Sequence, residues 1–198
     1  MCFVERGRTF GHNGVDVGKI FATKAEARKA GIHAAEQGGI HGDQHLGAFS
    51  VCLSKGYEDN IDKGNIIIYV GSGGRDKDGK QIHDQSFEHS YNKSLQISYE
   101  TKRPVRVVRG ATDKSYYAPT TGYRYDGLYV VDEVTNLLAM SWHITHAYQA
   151  NLEKGNKGFY MCTFKLRRIE EEGQKPIPTK STLTLKKMSK MMKNARST

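Results

Sequence analysis

The sequence predicts an α+β fold built around an antiparallel or barrel-like β-sheet with a few helices. Three observations carry this. Short β-branched and aromatic runs outnumber helical ones, the two kinds are mixed along the chain, and 21 glycines in 198 residues break them into short elements joined by polar loops. The length suits one domain with a full hydrophobic core and is short for two. With 37% apolar and 10% aromatic residues, the chain can build that core.

The elements follow in order. Thr23 with Glu26 three residues on forms a capping box, and "KAEARKAGIHAAEQGG" is rich in Ala, Lys and Glu before a Gly-Gly stop, which predicts a helix over 24–37. "GAFSVCLS" (47–54) and "NIIIYV" (65–70) predict strands joined by the polar "KGYEDNIDKG". Within 84–102, Phe87, Tyr91 and Leu95 stand four apart and predict a second helix. Strands are expected at 104–110, 125–134, 140–148 and 158–168, the last alternating apolar and polar residues. The texture stops after Arg168, so residues 1–168 are expected to form the domain and 169–198 a linker with a basic C-terminal tail.

Thirty Lys and Arg against 21 Asp and Glu give a net charge of +9. Such a balance favours a polyanionic partner, nucleic acid first, with a plain solubility charge as the alternative. No run approaches the ~18 apolar residues of a membrane span. The start, "MCFVERGRTFG", carries charges where a signal peptide needs an apolar core. Cys2, Cys52 and Cys162 are odd in number and far apart, which points to a reducing compartment and away from disulfides or a CxxC zinc site. His41 and His45, and His143 and His146, are spaced like ligands, but chance makes such pairs among eight histidines, and no metal is expected. Glu58, Asp59 and Asp62 share one loop and read as a solvated acidic turn.

The stretch "GNIIIYVGSGGRDKDGKQ" (64–81) is the most distinctive. Gly74 to Lys80 spells G-x-x-x-x-G-K, but Gln81 stands where a phosphate loop needs Ser or Thr for Mg²⁺, and no helix opens there. Gly71, Gly73 and Gly74 also lack the spaced third glycine of a dinucleotide fingerprint. Nucleotide binding is rejected, and the glycines need another reason.

That stretch, extended to "GYEDNIDKGNIIIYVGSGGRD" (56–76), occurs with "GIHG" (39–42), "RPVRVVRG" (103–110) and "YAPTTGYRYDGLYVV" (117–131), the last holding Tyr125-Asp126-Gly127. Together they resemble the SRA (SET and RING associated, or YDG) domain of methylated-DNA readers over residues 10 to 168. The resemblance implies an SRA/PUA-like fold, a twisted, barrel-like, mostly antiparallel sheet flanked by a few helices. It also implies a nuclear, non-catalytic reader of double-stranded DNA with no cofactor and no membrane, associated with chromatin partners it does not specify. Members flip 5-methyl- or 5-hydroxymethylcytosine out of the duplex into a pocket, at a cost of a few kcal/mol that stacking offsets.

Site residues carry over one by one. Tyr57 and Tyr69 would sandwich the base, with Val70 beside them and Ser72 lining the space for the 5-methyl group. Backbone amides around Ser54, Lys55 and Gly56 would donate to O2. Gln37 would enter the hole in the stack and meet the orphan guanine, while Arg75 and Gly39 would touch the DNA backbone. Gly71, Gly73 and Gly74 would let DNA come close. Two positions depart from the pattern. Ile82 replaces an arginine that reads the orphan guanine, so no strict hemimethyl preference is expected. Asn60 replaces the usual Asp facing the base edge, and an amide, both donor and acceptor, would relax discrimination against thymine. Two other readings stand beside the reader: the recognition module of a modification-dependent nuclease whose catalytic part lies elsewhere, and a basic scaffold without a working pocket.

Overall fold

A computed structural model describes residues 6–54, 60–112, 114–138, 158–171 and 175–180. Eight strands are named within them: β1 (Ile20–Phe21), β2 (Ile40–Asp43), β3 (Gly47–Leu53), β4 (Ile61–Asp62), β5 (Ile66–Val70), β6 (Val105–Gly110), β7 (Tyr123–Leu138) and β8 (Tyr160–Arg168). Two helices, α1 (Lys24–Lys29) and α2 (Ser90–Thr101), lie wholly inside the described residues. The strands form one sheet in the order β2-β3-β6-β7-β8-β5-β4, with β1 added to β7. β3 and β6 run parallel, and every other pairing is antiparallel. This is the mixed, mostly antiparallel α+β fold that the sequence predicts. The sheet runs open from β2 to β4.

Its spine is β7, longer than the 125–134 expected from sequence, pairing with β6 and β1 at its start and with β8 along the rest. Register shifts at Arg106/Val108 and Val131/Glu133 mark bulges, which bend the strands and strengthen their twist. One core cluster gathers Ile40, Val51, Ile67, Tyr69, Val107, Val131 and Phe164 with Leu95 of α2; a second joins Phe21, Val108 and Tyr125 to Ala27 of α1. β1, β2 and β4 have two to four residues each, too short for a sequence pattern to show. The strand expected at 140–148 lies outside the described residues.

Both helices are shorter than their patterns. Thr23 caps α1 by accepting the Glu26 N–H, as the capping box requires. The helix stops at Lys29 because Gly31 turns left-handed (φ 74°), and the Ile32 N–H folds back to the Ala27 carbonyl. That turn sends Ile32 and His33 into the core and ends the helix well before Gln37, where the sequence pattern places its end. At α2, Gln85 and Phe87 are used before the helix begins. Phe87 packs edge-on to Phe164 (6.0 Å), and Tyr91, read as a core position, is exposed. Lys102 ends α2 in the left-handed region, ahead of Pro104.

Arg106, in mid β6, is fully buried and donates to the carbonyls of Gly7, Thr9, Gly11 and Ile32. Burial brings its pKa down to about 10, so it stays charged at neutral pH while fastening the N-terminal segment to the sheet. At the other end, Ile177 packs on the core, Arg168 donates to the Lys175 carbonyl, and Lys180 donates to the carbonyls of Tyr116 and Thr112. Among the described residues no helix is long and apolar enough to cross a membrane.

Candidate nucleic-acid interface

Parallel pairing places the ends of β3 and β6 side by side, with Leu53 opposite Arg109. Beyond them the chain opens into a cavity of about 80 Å³, bounded by Leu53, Ser54, Asn60, Asp62, Arg109, Gly110, Thr112, Lys114, Ser115 and Ala118. That is room for several waters, and its walls are polar enough to need partners.

Asn60 is oriented by the backbone. Its Oδ1 accepts the Val70 N–H (2.8 Å), so its amide oxygen is turned toward β5. The other end, Nδ2, is buried and has no hydrogen-bond partner among the described residues. Beside it, Asp62 accepts Arg109 Nη2 at 2.7 Å and Nε at 2.9 Å, and the Ser115 hydroxyl as well. Burial pushes the Asp62 carboxyl up, but Arg109, Ser115 and the Gly64 N–H outweigh it and hold the pKa below the usual value. Arg109 continues to Asp126, to the Tyr129 hydroxyl and to the Gly64 carbonyl, and Asp126 is shared with Arg124. This corrects the reading of Asp62 as part of a solvated turn: it is a buried ion-pair partner. Glu58 and Asp59 lie outside the described residues.

The glycine loop after β5 is held by three amide side chains, of which the sequence pattern drew attention only to Gln81, and for a different reason. Asn92, in the first turn of α2, pairs with both backbone groups of Ser72 (2.7 and 2.9 Å) and donates to the Ser86 carbonyl. Gln85 donates to the Gly71 carbonyl and accepts the Cys162 N–H. Gln81 donates to the carbonyls of Gly73 and His83. The glycines therefore have a reason inside the protein. A Cβ on Gly71 would lie 2.5 Å from Asn92 Oδ1, and one on Gly74 (φ 70°) 2.2 Å from both Gln81 Nε2 and the His83 oxygen. At these two positions the space expected for DNA is filled by the chain's own atoms.

The remaining site residues fall in several places. Ser54 is half-buried at the cavity, and Val70 touches the site through its N–H bond to Asn60. Tyr69 is fully buried in the core, opposite Phe164, and does not line the cavity. Ser72 is half-buried in the Asn92 clasp. Lys55, Gly56 and Tyr57 lie outside the described residues. Gln37 is exposed, whereas Gly39 is buried with its carbonyl accepting the Cys52 N–H. Arg75 opens the hairpin that carries Lys77 and Lys80, and its guanidinium donates to the Gly79 carbonyl. Ile82 is exposed on the same hairpin. His41 packs against Phe49 and His33, while His45 is exposed beside Gln44. Among the described residues no three His, Cys, Asp or Glu side chains gather as a metal site.

Comparison with known proteins places this geometry. The sequence profile of the SAD/SRA domain matches residues 9–172. A UHRF1-like protein of Cryptococcus neoformans var. grubii is 40% identical over 190 residues, covering 89% of this chain and 50% of that protein. The chain thus spans about half the length of that relative. The solved structure of the modification-dependent TagI restriction endonuclease is 36% identical, with a TM-score of 0.71 over 88% of this chain and 59% of that one. The SRA domain of SUVH5, solved with fully methylated CG DNA, is 32% identical with a TM-score of 0.65, over 86% of this chain and 99% of that one. The same domain was also solved with fully hydroxymethylated CG DNA, at 33% identity. With a profile match over most of its length and this sheet around the cavity, the chain belongs to the SAD/SRA domain family.

Proposed function

We propose that this chain binds duplex DNA containing 5-methyl- or 5-hydroxymethylcytosine and takes the modified base, rotated out of the helix, into the cavity beside Ser54 and Asn60. The observation that carries the reading is the likeness to the SUVH5 SRA domain, which this chain covers almost end to end and which was solved on methylated and on hydroxymethylated DNA. Unpairing and unstacking a base costs a few kcal/mol, and hydrogen bonds with aromatic stacking offset that cost, Tyr57 being one proposed face and Tyr69 the other once the entering base uncovers it from the core. Gln37 fills the vacated stack, Arg75 meets the DNA backbone, and Gly39, itself buried, does so only where the strand end beside it is approached closely. Residues 1–168, with the segment 175–180 packed on them, form the binding unit, and the basic residues that follow form a tail. No bond is made or broken in this role, so the chain acts as a chromatin reader in the nucleus and not as an enzyme.

The test is a titration of matched duplexes, unmodified, hemimethylated, fully methylated and hydroxymethylated, at one salt concentration, since phosphate contacts shift all affinities together. The expected result is binding of modified duplexes at least about tenfold tighter than plain ones. Equal affinities would leave only the basic scaffold. The likeness to the TagI endonuclease favours a second reading, a recognition module that works with a nuclease part. Cleavage of methylated duplex by this chain with Mg²⁺ would overturn the non-catalytic reader, and a nuclease part lying elsewhere is tested on the full-length protein, where modification-dependent cleavage supports the second reading. A fluorescent fusion expressed in cells tests the nuclear site, and exclusion from the nucleus overturns it.

A further inference from the structure

We infer that Lys180 is a positioning residue of the base cavity: it holds the cavity wall at 112–116 in place, so that preference for a modified base depends on a segment beyond the SAD/SRA match. This rests on the proposal that the cavity is the base site. The profile ends at residue 172, and the sequence pattern assigns 169–198 to a linker and tail. Residues 175–180 are nevertheless built into the fold, with Ile177 on the core and Lys180 on the cavity wall.

The sequence stiffens this segment. Lys175 and Ile177 each precede a proline, Pro176 and Pro178, which disfavours helical backbone at both and extends the chain. Arg168, almost closed to solvent, donates Nη2 to the Lys175 carbonyl (2.8 Å) and Nε to the Asp126 carbonyl (3.2 Å). Asp126 is the carboxylate behind Arg109, so one end of the segment is tied to the ion-pair network beside the cavity. The other end is Lys180.

Lys180 meets the wall twice. Its backbone N–H donates to the Tyr116 carbonyl (3.1 Å) and its Nζ to the Thr112 carbonyl (2.9 Å). Between those two carbonyls stand Lys114 and Ser115, both on the cavity. From the inner side, Ser115 donates to Asp62 Oδ2 (2.6 Å) and accepts the Tyr117 N–H (3.2 Å). The wall is therefore clamped between Asp62 on β4 and Lys180 beyond the profile. A loose wall must be ordered when a base enters, at a cost in conformational entropy for every residue fixed. A wall already held removes that cost from the binding step. Plain duplex, bound through its phosphates, makes no such demand.

The experiment titrates the full chain with 5-methylcytosine and unmodified duplexes at one salt concentration, as wild type, Lys180→Met and Lys180→Arg. Methionine keeps an apolar stem and the backbone bond, so the fold survives, but it cannot donate to Thr112. The ratio of modified to plain affinity should fall at least about fivefold in Lys180→Met and stay within about twofold of wild type in Lys180→Arg. Exchange of the Tyr117 amide should accelerate at least about tenfold in Lys180→Met while exchange in β3 and β6 stays as it is. Wild type supplies a test that needs no variant, because coupling is reciprocal. At saturation, modified duplex should slow exchange of the Lys180 amide at least about threefold more than plain duplex does. An unchanged ratio in Lys180→Met overturns the inference. So does a parallel fall of both affinities, which would make Lys180 a phosphate contact, and so does equal protection of its amide by the two duplexes. If wild type binds 5-methylcytosine duplex no tighter than plain duplex, the base-site reading fails and the inference with it. If wild type prefers the modified duplex and Lys180→Met keeps that preference, only the inference fails.

Discussion

Asp62 and Arg109 meet through two hydrogen bonds, and both side chains are nearly closed to solvent. Asp62 is on β4, the last strand of the sheet, and Arg109 on β6, the third. The pair therefore ties an edge of the open sheet back to its middle, which gives the sheet a barrel-like curl and builds one wall of the cavity at the same time. Deleting one partner of a buried pair leaves the other charge stranded, at about 3–5 kcal/mol. Asp62→Ala should lower the stability by that amount, read as a fall in the urea midpoint with an unchanged slope. A loss under about 1 kcal/mol would show that Asp126, already shared with Arg124, suffices for Arg109.

Acid should weaken the fold well above the pH at which carboxylates titrate. Burial, followed by the charge on Lys24, lowers the His33 pKa to about 3; burial, followed by Arg106, lowers that of His41 to about 4. In the unfolded chain both sit near 6.5. Above about pH 6.5 both states are neutral and stability is at its plateau. As pH falls from there, the unfolded chain takes up protons that the folded one refuses, at up to about 1.4 kcal/mol per pH unit for each histidine. Urea unfolding between pH 7 and 4 should show a slope approaching two protons, and His33→Gln should remove one of them. A flat profile down to about pH 4 would mean that the two rings are protonated in the fold.

The sequence was most legible where one residue's neighbours in the chain are also its partners in space. The cap at Thr23, the strand runs of β3, β5, β6 and β8 and the glycine-rich segment are of that kind. The helix ends were misjudged because tertiary demands intervene: Gly31 turns the chain so that Ile32 can be buried, and Gln85 leaves the helix to serve the glycine loop. Site residues linked by long contacts stayed hidden. Asp62 and Arg109 are 47 residues apart, so a carboxylate in a polar loop carries no sign of its partner. One signal was available on α2. Asn92 and Ser98 flank Leu95 at three-residue spacing on its buried face, where an apolar stripe would be expected. Polar residues there announce bonds to backbone, which Asn92 makes to Ser72 and Ser98 to Ala48.

Asn92→Ala should loosen the glycine loop more than it harms the core. The change strands the Ser72 N–H and the carbonyls of Ser72 and Ser86, at about 1–3 kcal/mol for each group that stays buried. Amide exchange at Ser72 should accelerate by at least about tenfold while exchange in β3 and β6 tracks only the global stability. Equal acceleration in both regions would make Asn92 a general core contact and not a clasp for the loop.

Gln37 offers a test of how the protein engages a duplex. Its side chain is exposed, yet the backbone beside it is fixed: the Gly38 carbonyl accepts Lys24 Nζ and pairs with His33 Nε2, and the Gly39 carbonyl accepts the Cys52 N–H. An exposed amide on a pinned backbone loses little further freedom when it enters a gap. A duplex from which a base has been flipped has such a gap, with an unpaired guanine edge inside it, and a single strand has neither. Gln37→Ala should therefore weaken binding to modified duplex by about tenfold, or 1.4 kcal/mol, and to the matching modified single strand by less than about twofold. Gln37→Leu adds a second arm, since leucine fills space without pairing with guanine. Partial recovery on the duplex would divide the contribution of Gln37 between stacking and hydrogen bonding, and no recovery would assign it to the bond with guanine. Equal losses for Gln37→Ala on duplex and single strand would remove this residue from the gap and place it among the general backbone contacts.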